Sequence, residues 1–409
     1  MSTLEADART ASLAGPSDET RRVDGFVVGA ALTGFALLGG LIALETAPFL
    51  VALFAVGGLL GIALYHGAFG FTGGWRRFVL EKRSAGLRAQ LGLLALASVL
   101  FVPVLASVEP GAPMTGAVAP FGTSLLLGAF LFGLGMQLGG GCGSGTLFTV
   151  GAGNVRMVLT LLFFVAGSVL GTLHLPWWLA RPGFDPVDLL ATLGPAAALG
   201  LQLAVLAALA WWVARVERRH HGAVERRVFA APERGLASNL LKGRWPLFWA
   251  VVVLAVGNLA ILLLSGHPWG ITFAFGLWGA KALQFAGVDM AQWEFWTWDY
   301  PAMALQDSVL VNVTSVTNFG LLLGAMLAAG LAGRFNRASR GRIPARSLLA
   351  AVLGGLAMGY GARLAFGCNI GAMFSGIASA SLHGWGWFAA AWVGSLLGIR
   401  LRPWFGLQD

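Results

Sequence analysis

Long apolar runs, broken by short polar or basic stretches, set the pattern along this chain. The runs fall at about 25–44, 48–66, 89–107, 120–138, 155–173, 188–214, 246–265, 302–331, 347–366 and 385–399. Most lie near the 20 or so apolar residues that a bilayer-crossing helix needs. Glycine-rich pieces at 67–75 and 270–283, and around Cys142 and Cys368, are too short to cross. The expected fold class is an all-α polytopic membrane protein of about ten transmembrane helices plus four short re-entrant helices.

Composition supports this. The chain is 57% hydrophobic and 11% charged, against about 25% charged in an ordinary soluble domain. Its formal charge of +9 sits in short clusters: Arg76, Arg77, Lys82, Arg83 and Arg88; eight Arg or Lys in 215–244; Arg334, Arg337, Arg340, Arg342 and Arg346; Arg400 and Arg402. Such clusters mark cytoplasmic loops rather than a nucleic-acid surface. Residues 1–24 are polar with no apolar core, which predicts a disordered cytoplasmic tail rather than a signal peptide. The predicted organisation is a first transmembrane half, 25–214, a basic cytoplasmic linker, 215–244, and a second half, 245–409.

The only two cysteines stand in matching contexts, GLGMQLGGGCGSGTLFTVGAG over 133–153 and GYGARLAFGCNIGAMFSG over 359–376. With Cys142 laid on Cys368, Gly133 falls on Gly359, Gly135 on Gly361, Gly141 on Gly367 and Gly145 on Gly371. This is an internal repeat. Counting sides with the glycine-rich pieces re-entrant keeps every basic cluster in the cytoplasm and gives the halves opposite orientations. That is an inverted repeat, with its site at mid-membrane.

Each glycine costs a helix roughly 1 kcal/mol against alanine, so Gly139–Gly141 should end one helix, with a shorter one starting near Ser144 or Ile370. Backbone opened there exposes N–H groups and the positive end of a helix dipole, a ready anion site. The candidate site is therefore Cys142, Gly141, Gly143 and Gly145 with Cys368, Gly367, Asn369 and Gly371. The thiols, weak donors and polarizable acceptors, suit a sulfur-rich anion. Arg363 and Lys281 are charges inside apolar segments, where charge is expensive, and are expected to draw the anion in or to snorkel. Asp307, read as one turn inside a span, is a candidate proton-coupling group or a backbone partner. No CxxC or Cys/His spacing suggests a metal, and no cofactor is expected. A membrane thiol redox enzyme or sulfurtransferase using Cys142 or Cys368 is the alternative, but it needs a nearby base, and no His lies near either cysteine in sequence.

The paired motifs, together with GFTGGWRRF at 70–78, resemble the YeeE/YedE family of bacterial inner-membrane transporters for sulfur compounds. The resemblance implies an hourglass of two inverted halves, with Cys142 and Cys368 handing thiosulfate or a related anion through a constriction by S–H···S contacts. It further implies an inner-membrane location with both termini cytoplasmic, and a small cytosolic sulfur-carrier protein as partner. The entrance cysteine that thiosulfate users add has no counterpart here. No Walker motif is present, so ATP hydrolysis is not this chain's energy source.

Overall fold

A computed structural model describes residues 22–109, 111–228, 236–243, 245–336 and 343–407. Most of the expected tail, and Arg337, Arg340, Arg342 and parts of the basic linker, lie outside the described residues. The fold is all-α and polytopic. Helices α1 (Gly25–Glu45), α2 (Pro48–His66), α3 (Phe71–Glu81), α4 (Ala85–Ala106), α5 (Thr123–Gly139), α6 (Gly143–Gly151), α7 (Val155–Leu179) and α8 (Pro195–His221) are followed by α9 (Leu247–Ser265), α10 (Thr272–Phe285), α11 (Asp299–Gln306), α12 (Val313–Leu331), α13 (Ala345–Leu364) and α14 (Leu382–Leu401). Between α13 and α14, Asn369–Phe374 winds as a π-helix and runs into Ser375–Ala378.

Among the described residues nine helical runs are long and apolar enough to cross a membrane. The tenth expected span forms as α14, 20 residues long and interrupted by Gly, Ser and Arg. Local chemistry places the boundaries. Pro48 and Pro195 open α2 and α8, where a missing N–H costs nothing. The Asn154 and Asn312 side chains accept from Met157 N and Ser315 N and start α7 and α12.

One expected span is corrected. The run 302–331 does not cross as one helix, because Ser308 and Asn312 each cap a new start. It divides into α11, a turn at Val309–Val311, and α12. Asp307 is left exposed at the C-cap of α11 rather than inside a span, which removes the basis for a proton-coupling role. Helix α8 also runs to His221, seven residues into the basic segment. There Glu217, fully buried, accepts from Ser84 Oγ and Glu225 N and lies 3.7 Å from Arg88.

Small residues let the long helices touch backbone to backbone, the usual device where lipid removes the hydrophobic drive. Helices α5 and α14 run the same way, Phe130 against Gly394 and Leu134 against Gly398. So do α7 and α13, Thr160 against Gly355 and Phe164 against Gly359. Helices α5 and α13 run oppositely, Gly128 against Gly361 and Gly135 against Gly354.

The contacts also sort the two ends of the molecule. Arg156 meets Ser347 and the end of α5, Arg402 meets Gln137, Tyr65 meets Arg334, and His221 meets Glu81, all at one end. At the other, Phe121–Gly122 pairs with Gly183–Phe184, and Leu189 N donates to Ala380 O. The described residues of the basic clusters thus share one end, while Arg181, Lys281 and Arg363 lie toward the opposite one.

Candidate functional site

Helix α5 ends at Gly139, where Gly140 turns left-handed at φ 94° and returns its N–H to Met136 O. The carbonyls left over at that end cannot be abandoned in an apolar interior. Arg156 donates to Gly139 O and Leu138 O, both at 2.7 Å, and Arg402 to Gln137 O at 2.8 Å. Cys142 then becomes the N-cap of α6, its Sγ accepting from Gly145 N at 3.4 Å. The second motif repeats this. Helix α13 stops at Leu364, Gly367 N donates to Ala362 O, and Cys368 caps the Asn369 helix, its Sγ accepting from Ile370 N at 3.4 Å.

Both chains double back. Ser124, at the start of α5, donates to Leu364 O at the end of α13, while Gly139 lies against Gly354, halfway along α13, and Arg156 bridges Gly139 O and Ser347 near that helix's start. The two helices therefore end at opposite ends of the molecule. Even so, Cys368 Sγ sits 3.1 Å from where a Cβ on Gly143 would be. The two cysteine-bearing segments thus meet, with Cys142 and Cys368 1% and 0% exposed. Neither is in a disulfide.

Two further helices point their N-termini at the same place. Helix α3 opens beside the first motif, where Thr72 O accepts from Gln137 at 3.3 Å. Ile271, just before α10, packs on Gly143, and Gly270 on Gly371. Four short helices thus direct their positive ends at the two thiols, an electrostatic setting for an anion. Side-chain amides hold the opened backbone in place. Gln90 donates to Gly70 O, Gln137 to Thr72 O and Asn318 to Ile271 O, while Asn258 accepts from Trp269 N. Sequence reasoning missed this role for all four; the available signal was that each is a polar amide inside an apolar run.

The glycines have distinct jobs. Gly141 packs under the start of α6, against Gly145 and Thr146; Gly367 packs the same way against Gly371 and Ala372. Gly143 and Gly371 are where the opposing segments touch. Asn369 is fully buried and, among the described residues, neither its Nδ2 nor its Oδ1 has a partner; the same is true of Thr146 Oγ1. Both groups belong to the short helices that the cysteines cap.

The two charged candidates separate. The Arg363 guanidinium donates to Thr272 O at 3.4 Å and lies 4.9 Å from the Phe295 ring, and its Nε has no partner among the described residues. It stands beside the N-terminus of α10, next to the cysteine site. Lys281 lies nine positions further along α10 than Thr272. Its Nζ donates to Leu305 O and Asp307 O at 2.8 and 2.6 Å, which ties α10 to α11.

The chemistry available is binding. Each sulfur accepts a backbone N–H, which leaves its own S–H to donate elsewhere. The Cys142 thiol has Ser144 Oγ at 3.5 Å. Among the described residues no group of three His, Cys, Asp or Glu is placed to hold a metal.

Comparison with known proteins decides what kind of binding. The profile of a family described as sulphur transport matches residues 66–397. The chain belongs to that sulphur transport family. Within it, the probable transporter YedE of Escherichia coli (strain K12) is 35% identical over 158 residues, 37% of this chain and 38% of YedE. The chain therefore matches well under half of YedE's length. The thiosulfate transporter TsuA of the same organism is 27% identical over 358 residues, 85% of this chain and 92% of TsuA. TsuA of Spirochaeta thermophila is 28% identical over 338 residues, 81% of this chain and 92% of that protein. All of these relatives are named as transporters, and this sulphur transport family chain is a multi-pass membrane protein.

Proposed function

We propose that this chain carries thiosulfate, or a related small sulfur-containing anion, into the bacterial cytoplasm across the inner membrane, passing it between Cys368 and Cys142. The observation that carries the reading is the approach of Cys368 to Gly143, with each cysteine capping its own short helix. A tetrahedral sulfur anion there accepts S–H and N–H bonds and faces four helix N-termini, which offset part of its lost hydration. Two relatives over more than four-fifths of the chain bear the name thiosulfate transporter.

The halves are read as an inverted repeat. Repeat-related positions make equivalent contacts: Gly133 of α5 crosses Ala391 O of α14, and Gly359 of α13 crosses Phe164 O of α7. The end rich in arginine is taken as cytoplasmic by the positive-inside rule, which puts both termini there and Arg363 on the entry side. A small cytosolic sulfur carrier taking the anion at that end belongs to the same proposal. A dianion moving inward works against about 2.3 kcal/mol per charge per 100 mV, so co-transport or consumption inside supplies the drive.

Radiolabelled thiosulfate uptake into proteoliposomes tests this. Saturable uptake, displaced by unlabelled thiosulfate more strongly than by sulfate, is expected; no uptake above protein-free vesicles would contradict it.

A further inference from the structure

Beside the cysteine site lies a second feature that the relay does not use. A cavity of about 150 Å³ runs between α3 and α4, lined by Ala68, Gly70, Gly73, Gln90, Arg77 and Arg83. Gly70 in its wall comes just before α3, whose Thr72 O accepts from Gln137 near the end of α5, five residues before Cys142. Its mouth is at the arginine-rich end, where the Arg77 and Arg83 side chains are 40% and 37% exposed.

The lining is built to stay open. A Cβ placed on Gly70 or on Gly73 would meet nothing within 4 Å, so neither glycine is required by a neighbouring atom. Gly74, one residue on, differs: a Cβ there would strike Gln90 Nε2 at 2.5 Å. Gly74 and Gly86 thus close the α3–α4 contact while Gly70 and Gly73 leave a space beside it. That space has room for several water molecules, or for one small oxyanion keeping part of its hydration. Gln90 fixes the wall, bridging Trp75 Nε1 at 2.8 Å and Gly70 O at 3.1 Å.

Two guanidinium groups at the mouth of a cleft raise the local concentration of anions and favour their passage. Both are partly balanced, Arg77 by Glu81 at 3.3 Å and Arg83 by Glu217 at 3.8 Å. Such a site holds an anion weakly enough to release it, as a conduction path requires. We propose that this cavity is the inner station of the transport path, where the small sulfur oxyanion rests after leaving Cys142 and before release between Arg77 and Arg83. The inference rests on the transport reading above and adds a route and a second binding site to it.

The test fills the open space. Gly73→Leu and, independently, Gly70→Leu are reconstituted beside the unsubstituted protein and a control, Gly92→Leu, at an exposed position of α4 where a Cβ also meets nothing within 4 Å. The expected result is a loss of thiosulfate uptake of about tenfold or more in both cavity variants, with the control unchanged. Thermal unfolding in detergent should be the same for every variant. Normal uptake by either well-folded cavity variant, with the unsubstituted protein active, overturns the inner station and leaves the cysteine reading intact. Absence of thiosulfate uptake by the unsubstituted protein overturns both.

Discussion

Cys368 rests against Gly143, its Sγ 3.1 Å from the point where a Cβ on that glycine would sit. The contact joins two segments 225 positions apart in the sequence. A methyl group there is tighter than ordinary contact and must displace the thiol by a few tenths of an ångström. Gly143→Ala is therefore expected to lower thiosulfate uptake by about tenfold, because positioning errors of this order are costly where a ligand is closely held. Gly145→Ala, whose Cβ would meet Cys142 Sγ at an ordinary 3.4 Å, should do much less. Initial uptake rates in proteoliposomes compare the two.

Arg156 ends α5 with three kinds of contact, to Leu138 O, Gly139 O and Ser347. Arg156→Met removes the partner of Leu138 O and leaves Gly139 O with only the Thr160 hydroxyl, and should cost about 3 kcal/mol of stability. Arg156→Lys should restore only part of it, since an ammonium cannot fork across two carbonyls as a guanidinium does. Thermal unfolding in detergent reads both.

Glu217 is a buried carboxylate between Ser84, Arg88 and the Glu225 amide. Removing one partner from such a cluster strands the others, so Glu217→Ala should destabilise by about 3 kcal/mol. Proteolysis within 215–244 should quicken in this variant, which a time course on the purified protein would show.

The two charged candidates should behave oppositely. Arg363→Gln is expected to raise the KM for thiosulfate several-fold with little change in unfolding temperature, since its guanidinium keeps one nitrogen unused beside the cysteine site. Lys281→Met should lower the unfolding temperature and leave KM alone, since its ammonium is spent on Leu305 O and Asp307 O.

These contrasts mark what was legible in the amino-acid sequence. Helix number and the breaks at both cysteines could be read because run length and glycine clusters are local signals. Cys142 and Cys368 each do start a helix, as the Gly139–Gly141 and Gly367 breaks implied. The span 302–331 was misread because mean apolarity conceals a cap such as Asn312, although Ser308 and Asn312 carried the warning. Lys281 drew attention as a charge in an apolar run, but its carbonyl partners lie 24 and 26 positions away. The amides that brace the site were invisible for the same reason. Gln137 meets Thr72 across 65 positions and Ser395 across 258, and Asn258 meets Ser375 across 117. No local pattern announces pairings of that range; only the folded chain brings them together.

The most direct trial replaces both sulfurs. Radiolabelled thiosulfate uptake by proteoliposomes carrying Cys142→Ser, Cys368→Ser and the double substitution should fall at least about tenfold in each case, because a hydroxyl lacks the polarizable sulfur that meets the anion's own. Uptake by the double variant at the unsubstituted rate would contradict the account.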